Sequence, residues 1–264
     1  MTWDIERRGN VAVVTMTTNK VNAQNPAFFD DLHQAFDRLE GDFADCAVVL
    51  TGTGKVFSAG LDFDHHFPLF ARRSISEIDE WFEVYRATNL RLFQYPRPTV
   101  AAINGHAYAG GLITALSCDL RIAPDGPLEF SLNEVPIGIP MPAVYVEIIK
   151  HATGSKTGAE MTLFGRVYDA AAALRLGVLH QIVPAERLID EAAMAAESID
   201  TDCHTAYAFA KRALQAGVLE AIDAAARLDA KALAGAISSR GSLRAHAKRF
   251  TEIKGTEPAW TVPN

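Results

Sequence analysis

The sequence is short of the features that mark several large protein classes. No apolar run approaches the ~18 residues of a bilayer span. The opening residues, Met-Thr-Trp-Asp-Ile-Glu-Arg-Arg, are charged and lack the apolar core of a secretory signal. Cysteine is scarce: Cys46, Cys118 and Cys203 are widely spaced, odd in number and without zinc-ligand spacing. They read as reduced, mostly buried thiols of a cytoplasmic protein. Positive charge is not in excess, since 25 Lys and Arg stand against 32 Asp and Glu for a net charge of −7. A nucleic-acid binder would carry a basic footprint that is missing here. An acidic ligand would have to rely on local cations and helix N-termini. What the 264 residues do have is apolar material, 49% hydrophobic. That is enough for one large α/β domain, or a domain with an appendage.

The stretch from Pro98 to Asp119 organises the rest. Residues 99–103 read as a short buried strand after Pro98, which has no ladder N–H to give. Asn104-Gly105 is a turn dipeptide, because both residues tolerate positive φ. Ala109-Gly110-Gly111 then opens a helix of small residues running to about Ser117. Adjacent glycines at a helix start either permit tight helix–strand packing or leave backbone N–H groups open to an oxygen that becomes anionic. A second stretch, Gly54-Lys-Val-Phe-Ser-Ala-Gly-Leu-Asp62, is again a strand end running into a small-residue turn. The Thr51-Gly-Thr-Gly-Lys55 run before it lacks the spacing of a nucleotide-binding loop.

Along the rest of the chain, strands are expected over residues 3–6 and 11–17, joined at Gly9-Asn10, and over 46–51. A helix starts at Pro26. Residues 63–74 read as an irregular polar loop, and Asp64-His65-His66 within it make a poor metal cluster because sequential residues point apart. A helix capped at Ser76 carries Ile78, Trp81, Phe82, Tyr85, Leu90 and Phe93 as a core stripe. Further strands are expected over 119–123 and 178–183, with helices over 143–151, 156–164 and 169–176. Beyond Pro184 the chain is helical, with breaks near Thr201-Asp202 and Gly241.

An acid–base group is needed beside any open N–H pair, and Glu134, between Leu132-Asn133 and Val135-Pro136-Ile137, is the candidate. In apolar surroundings its pKa would rise toward neutrality; the alternative is a surface Glu at a strand end.

Phe57-Ser-Ala-Gly-Leu-Asp62 and Ala101-Ala-Ile-Asn-Gly105 followed by Ala109-Gly-Gly111 resemble the two signature segments of the crotonase family, the enoyl-CoA hydratase/isomerase superfamily, and the likeness covers nearly the whole chain. The resemblance implies a spiral of ββα units over residues 1–198 and a C-terminal helical region over 199–264 that packs and joins subunits as trimers or dimers of trimers. It implies an acyl-CoA thioester substrate, with CoA part of that substrate and no separate cofactor or metal. The carbonyl oxygen would lie between the N–H groups of Leu61 and Gly110. Ala59, Asp62, Gly111 and Ile113 would touch substrate, with Lys248 and Arg249 meeting CoA phosphates. His106 and Tyr108 would flank the acyl pocket, His106 as a neutral packed side chain.

Hydratases of the family use two glutamates. Here the first position is Ile113 and only the second, Glu134, is a carboxylate, as in the Δ3,Δ2-enoyl-CoA isomerases. The resemblance therefore implies an isomerase that moves a proton from C2 to C4. A hydratase, an acyl-CoA hydrolase or decarboxylase using Asp62, Asp64 or His106, and a non-catalytic acyl-CoA-binding protein are the alternatives.

Overall fold

The computed structural model describes residues 2–260, with the side chains of residues 226–231 left aside. The chain starts with β1 (Asp4–Arg8) and β2 (Val11–Met16), an antiparallel hairpin turning at Gly9-Asn10, followed by α1 (Pro26–Glu40). Asn25 caps α1 by accepting the Phe28 N–H, and Pro26 takes the first position, where no N–H is needed.

Three similar passages follow. In each, a strand of one sheet turns sharply into a strand of a second sheet before a helical segment. They are β3 (Ala47–Gly52) with β4 (Val56–Ser58), β5 (Thr99–Ala102) with β6 (His106–Tyr108), and β7 (Leu120–Pro124) with β8 (Phe130–Ser131). After β4 come α2 (Phe63–Ala71) and α3 (Ile75–Phe93), and after β6 comes α4 (Gly110–Leu116). After β8 come a 3-10 turn (Val135–Ile137), α5 (Ala143–Thr153), α6 (Ser155–Phe164) and α7 (Ala170–Arg175). With β9 (Gln181–Val183), the larger sheet has the order β1-β2-β3-β5-β7-β9, parallel from β2 onward. The smaller sheet is parallel β4-β6-β8. This is the expected spiral of ββα units.

Both faces of the larger sheet are covered, which is why its strands read as unbroken apolar runs. Val11, Val13, Val49, Val100 and Ile122 face α8 (Leu188–Glu197), while Val14, Val48, Leu50 and Ala101 face the main core. The last two helices are α9 (His204–Ile237) and α10 (Arg240–Lys254). Ile222, Ala234, Ile237 and Leu243 from these helices join the same apolar cluster as the sheet.

The structure revises several expectations. Residues 63–71 form α2, not an irregular loop: Asp62 caps it by accepting the Asp64 N–H, and Phe67 and Phe70 are fully buried. The cap of α3 is Ser74, two residues before the expected Ser76. The final helical break falls at Ser238-Ser239, because Ser239 caps α10, and Gly241 lies inside that helix. Only residues 181–183 of the expected last strand pair in the sheet. Of the cysteines, Cys46 and Cys118 are buried and Cys203 is exposed.

Asn104-Gly105 is the joint between β5 and β6. Asn104 accepts the Gly52 N–H at 2.9 Å and donates to the Gly54 carbonyl at 3.0 Å, stitching one passage to the one before it. Gly105 has no positive φ. It is required because a Cβ there would lie 2.1 Å from the Lys55 carbonyl oxygen. Gly105→Ala is therefore expected to destabilise the protein by about 2–3 kcal/mol, read as a lowered midpoint at unchanged slope in urea unfolding.

Candidate active site

The end of β4 is tied down at its side chains and its flanks. Ser58 is fully buried and donates to the Asn22 carbonyl at 2.7 Å. Gly60, at φ +77°, gives its carbonyl to the Gln24 N–H (2.7 Å), and the Asp62 N–H bonds the Gln24 carbonyl (3.0 Å). The amide between them, Leu61 N–H, has no hydrogen-bond partner among the described residues.

The second turn has a similar logic. Ala109 donates to the Ser131 carbonyl at 2.8 Å, with φ 49° and ψ −130°. That backbone is strained by about 1–3 kcal/mol for an L-residue, and such strain persists where the surroundings over-determine it. It swings the next amide, Gly110 N–H, away from the chain, and this group also lacks a partner among the described residues. The two turns touch: a Cβ on Gly60 would be 2.7 Å from the Ala109 Cβ and 3.0 Å from the Gly110 nitrogen.

Gly110 and Gly111 serve different purposes. A Cβ on Gly111 would lie 2.3 Å from the Ser58 carbonyl oxygen, so that glycine permits close packing of α4 on β4. A Cβ on Gly110 would instead meet the Tyr85 hydroxyl at 1.8 Å and Gln24 Oε1 at 2.2 Å. Tyr85 donates to Gln24 Oε1 (2.7 Å), and Gln24 Nε2 donates to the Gly110 carbonyl (3.1 Å) and to Thr114 Oγ1 (3.0 Å). Gln24, Thr114 and Tyr85 are all buried. Gln24 is not singled out by sequence reasoning, and Tyr85 is read only as core. The signal for Gln24 is the polar run Asn22-Ala-Gln-Asn25 directly before an apolar helix.

Glu134 follows β8 at the start of the 3-10 turn and is 5% exposed, so the surface-Glu alternative does not hold. Its carbonyl accepts from Ile137 and Ile139, which fixes the turn, but its carboxylate Oε2 is buried without a partner. Burial pushes its pKa up to about 8. The pKa of the buried Tyr85 hydroxyl is raised chiefly by desolvation and further by the charge of Glu134, which links Glu134 to the Gly110 network. Ile113, on the first turns of α4, is 1% exposed.

A cleft of about 480 Å³ opens over both turns. Ala59, Leu61, Asp62, Tyr108, Ala109, Asn133, Arg249 and Lys254 line it, and Glu134 and Ile113 lie behind that lining, next to Asn133 and on α4. Asp62 is occupied by Asn25 and the α2 cap, and Lys254 pairs with Asp64. Lys248 is 80% exposed and does not line this cleft; Lys254, unremarked in the sequence, does. His106 is not packed in the core: its side chain is 35% exposed and 3.8 Å from Glu129, which also accepts from the Tyr108 hydroxyl. His66 is buried against Trp81, with its pKa lowered to about 3 by desolvation, whereas His65 is exposed. Among the described residues no His, Cys, Asp and Glu side chains gather in a metal-binding arrangement. No described helix is long and apolar enough to cross a membrane.

Comparison with known proteins agrees with this geometry. The profile of the family described as Enoyl-CoA hydratase/isomerase matches residues 6–261. A protein named putative enoyl-CoA hydratase from Thermus thermophilus is 36% identical over 215 residues, covering 79% of this chain and 82% of its own. Human mitochondrial enoyl-CoA delta isomerase 1 is 32% identical over 180 residues, covering 67% of this chain and 58% of its own. The crystal structure of human mitochondrial delta3-delta2-enoyl-CoA isomerase superposes with a TM-score of 0.88 at 26% identity, covering 97% of this chain and 99% of the other. With the paired glycine turns, the buried glutamate and a match over almost its full length, the chain belongs to the enoyl-CoA hydratase/isomerase, or crotonase, family.

Proposed function

We propose that the protein is a Δ3,Δ2-enoyl-CoA isomerase in which Glu134 carries a proton between C2 and C4 of a 3-enoyl-CoA thioester. The observation that carries this reading is the buried carboxylate of Glu134 together with a buried, apolar Ile113, which by resemblance stands where the family's hydratases carry their first glutamate. Water addition needs one group to activate water and another to deliver a proton. A lone carboxylate amid apolar side chains suits moving one proton between two carbons.

In this mechanism the thioester oxygen accepts from the open N–H groups of Leu61 and Gly110. Ionised Glu134 takes a C2 proton, negative charge spreads onto that oxygen, and the two fixed donors stabilise it. The same carboxyl returns the proton at C4. Ile113 keeps solvent from the dienolate. Arg249 and Lys254, which line the cleft, supply positive charge for the CoA phosphates. Homotrimers, or dimers of trimers, in the cytoplasm belong to the same proposal, and the 75% and 73% exposure of Phe209 and Leu214 on α9 supports association.

The test is to assay isomerisation of a 3-enoyl-CoA beside hydration of crotonyl-CoA. Isomerisation is expected to exceed hydration by at least about 100-fold, and comparable hydration would overturn the assignment. With the carboxyl at about 8, roughly one free enzyme molecule in ten is ionised at pH 7. The isomerase kcat/KM should therefore rise about tenfold per pH unit below 8 and level off above it.

A further inference from the structure

A second cavity, of about 300 Å³, lies on the far side of α4, between the start of β7, α5 and α9. Arg121, Asp119, Lys211, His151 and His180 line it, and nothing in the proposed reaction uses them. Arg121 is 2% exposed. Its Nε donates to the Val178 carbonyl and its Nη1 to the Cys118 carbonyl, both at 2.7 Å, so its hydrogen bonds go to neutral oxygens. Lys211 is 7% exposed and sits 2.8 Å from Asp119, whose carboxylate also accepts from the Thr99 N–H and hydroxyl.

The balance is two buried cations to one carboxylate. His180 adds no further positive charge near neutral pH, since its pKa is lowered to about 4 by desolvation and by Arg121; that of His151 is lowered by desolvation. The Cys118 thiol is pushed up to about 12 by burial and stays neutral. A buried cation without a counter-charge is costly. The cavity also presents oriented donors. His180 Nδ1 accepts the Arg121 backbone N–H at 3.1 Å, so in the neutral ring the proton sits on Nε2, at an exposed side chain on the rim. Gln215, 2% exposed on the same wall, spends its amide N–H on the Phe93 carbonyl.

We infer that this cavity binds a small oxygen-bearing anion, phosphate or carboxylate, held by Arg121, Lys211 and the His180 Nε2–H. The anion supplies the missing negative charge, accepts from Lys211 in competition with Asp119, and anchors α9 to β7 of the larger sheet. This site is independent of the isomerase reading and survives its failure.

The experiment titrates inorganic phosphate, and separately acetate, into the intact chain by calorimetry, with histidine resonances followed by NMR. One saturable site per chain is expected, with the titration midpoint of His180 rising by about one pH unit in its presence. Phosphate alone binding marks a tetrahedral site, and acetate binding equally well marks a carboxylate site; either supports the inference. Charge variants separate a binding role from a structural one. Asp119→Asn should tighten binding about tenfold and Lys211→Met should weaken it about tenfold, whereas loss of a purely structural ion pair gives no such opposition. If either variant fails to fold, the His180 shift in the native protein decides the matter. No saturation below about 10 mM, an unmoved His180, or variants shifting affinity in the same direction would overturn the inference.

Discussion

Replacing Glu134 by Gln is expected to remove isomerisation by roughly 1,000-fold or more and at the same time to make the protein more stable in alkaline solution. The two effects share one cause. Desolvation raises the folded-state pKa of Glu134 from 4.5 to about 8. Below pH 4.5 the carboxyl is protonated in both folded and unfolded chains and contributes no pH dependence. Between pH 4.5 and 8 the unfolded chain releases this proton while the folded chain retains it. The unfolded state then binds fewer protons, and stability falls as pH rises, by about 1.4 kcal/mol per unit. The loss reaches roughly 4 kcal/mol by about pH 8 and flattens beyond it. Gln fills the same space without a titrating group, so the variant escapes that loss. Urea unfolding of both proteins from about pH 4.5 to about pH 9 should show near-equal stability at the acid end and a widening gap in favour of the variant toward the alkaline end. An acyl-CoA should bind the variant about as well as the native protein. Retained turnover would remove Glu134 from the reaction; a gap that does not grow with pH would mean the carboxyl is solvated.

The Gly110→Ala substitution should be nearly as damaging to catalysis, by a different route. The new methyl group would be placed 1.8 Å from the Tyr85 hydroxyl and 2.2 Å from Gln24 Oε1, and none of these atoms can share that space. Either the Tyr85–Gln24 bond breaks or the Ala109–Gly110 peptide rotates, and the second outcome turns the Gly110 N–H off its target. Loss of one such donor costs on the order of 3 kcal/mol in the transition state, or about 100- to 1,000-fold in kcat. Overpacking should add about 1–3 kcal/mol of destabilisation. Pairing the change with Tyr85→Phe tests this route. Removing the hydroxyl leaves the next ring atom at 3.1 Å, and the amide end of Gln24 can move. Stability and kcat should both recover in large part in the double variant, because the peptide no longer has to rotate. A kcat that stays low while stability recovers would mean that the clash with Tyr85 is not what turns the Gly110 N–H.

The larger sheet's inner strands β2, β3, β5 and β7 are legible in the sequence as apolar runs, whereas β4, β6 and β8 of the smaller sheet, two or three residues each, are too short to carry a pattern. The helix from Pro26 is equally plain, since Asn25 caps it and its apolar side recurs at helical spacing. Residues 63–71 mislead: Asp64, His65, His66 and Pro68 look like loop residues one by one, yet Asp62 caps them and Phe67 and Phe70 anchor them. Tertiary burial outweighs local composition there. At the site, Glu134 and the two glycine turns stand out by residue type and order. Their burial does not, because the surroundings of Glu134 are set by later helices, α6 and α10, that pack against its 3-10 turn. The Tyr85–Gln24–Thr114 network is hidden for the same reason: it joins α3, the segment before α1, and α4 through bonds spanning 61 and 90 positions.

The Leu61 and Gly110 amides sit at the same station of two successive coils, and the Asn104 side-chain amide laces those coils together by bonding the main chain of Gly52 and Gly54. Their separation therefore depends on the pitch of the winding, which is indifferent to most side-chain exchanges. In the proposed reaction the side chains that choose the outcome are Ile113, on the helix that Gly110 opens, and Glu134, on the turn after β8. Such a scaffold would grip a thioester in one way while leaving the outcome open to a change at one or two inward-facing residues.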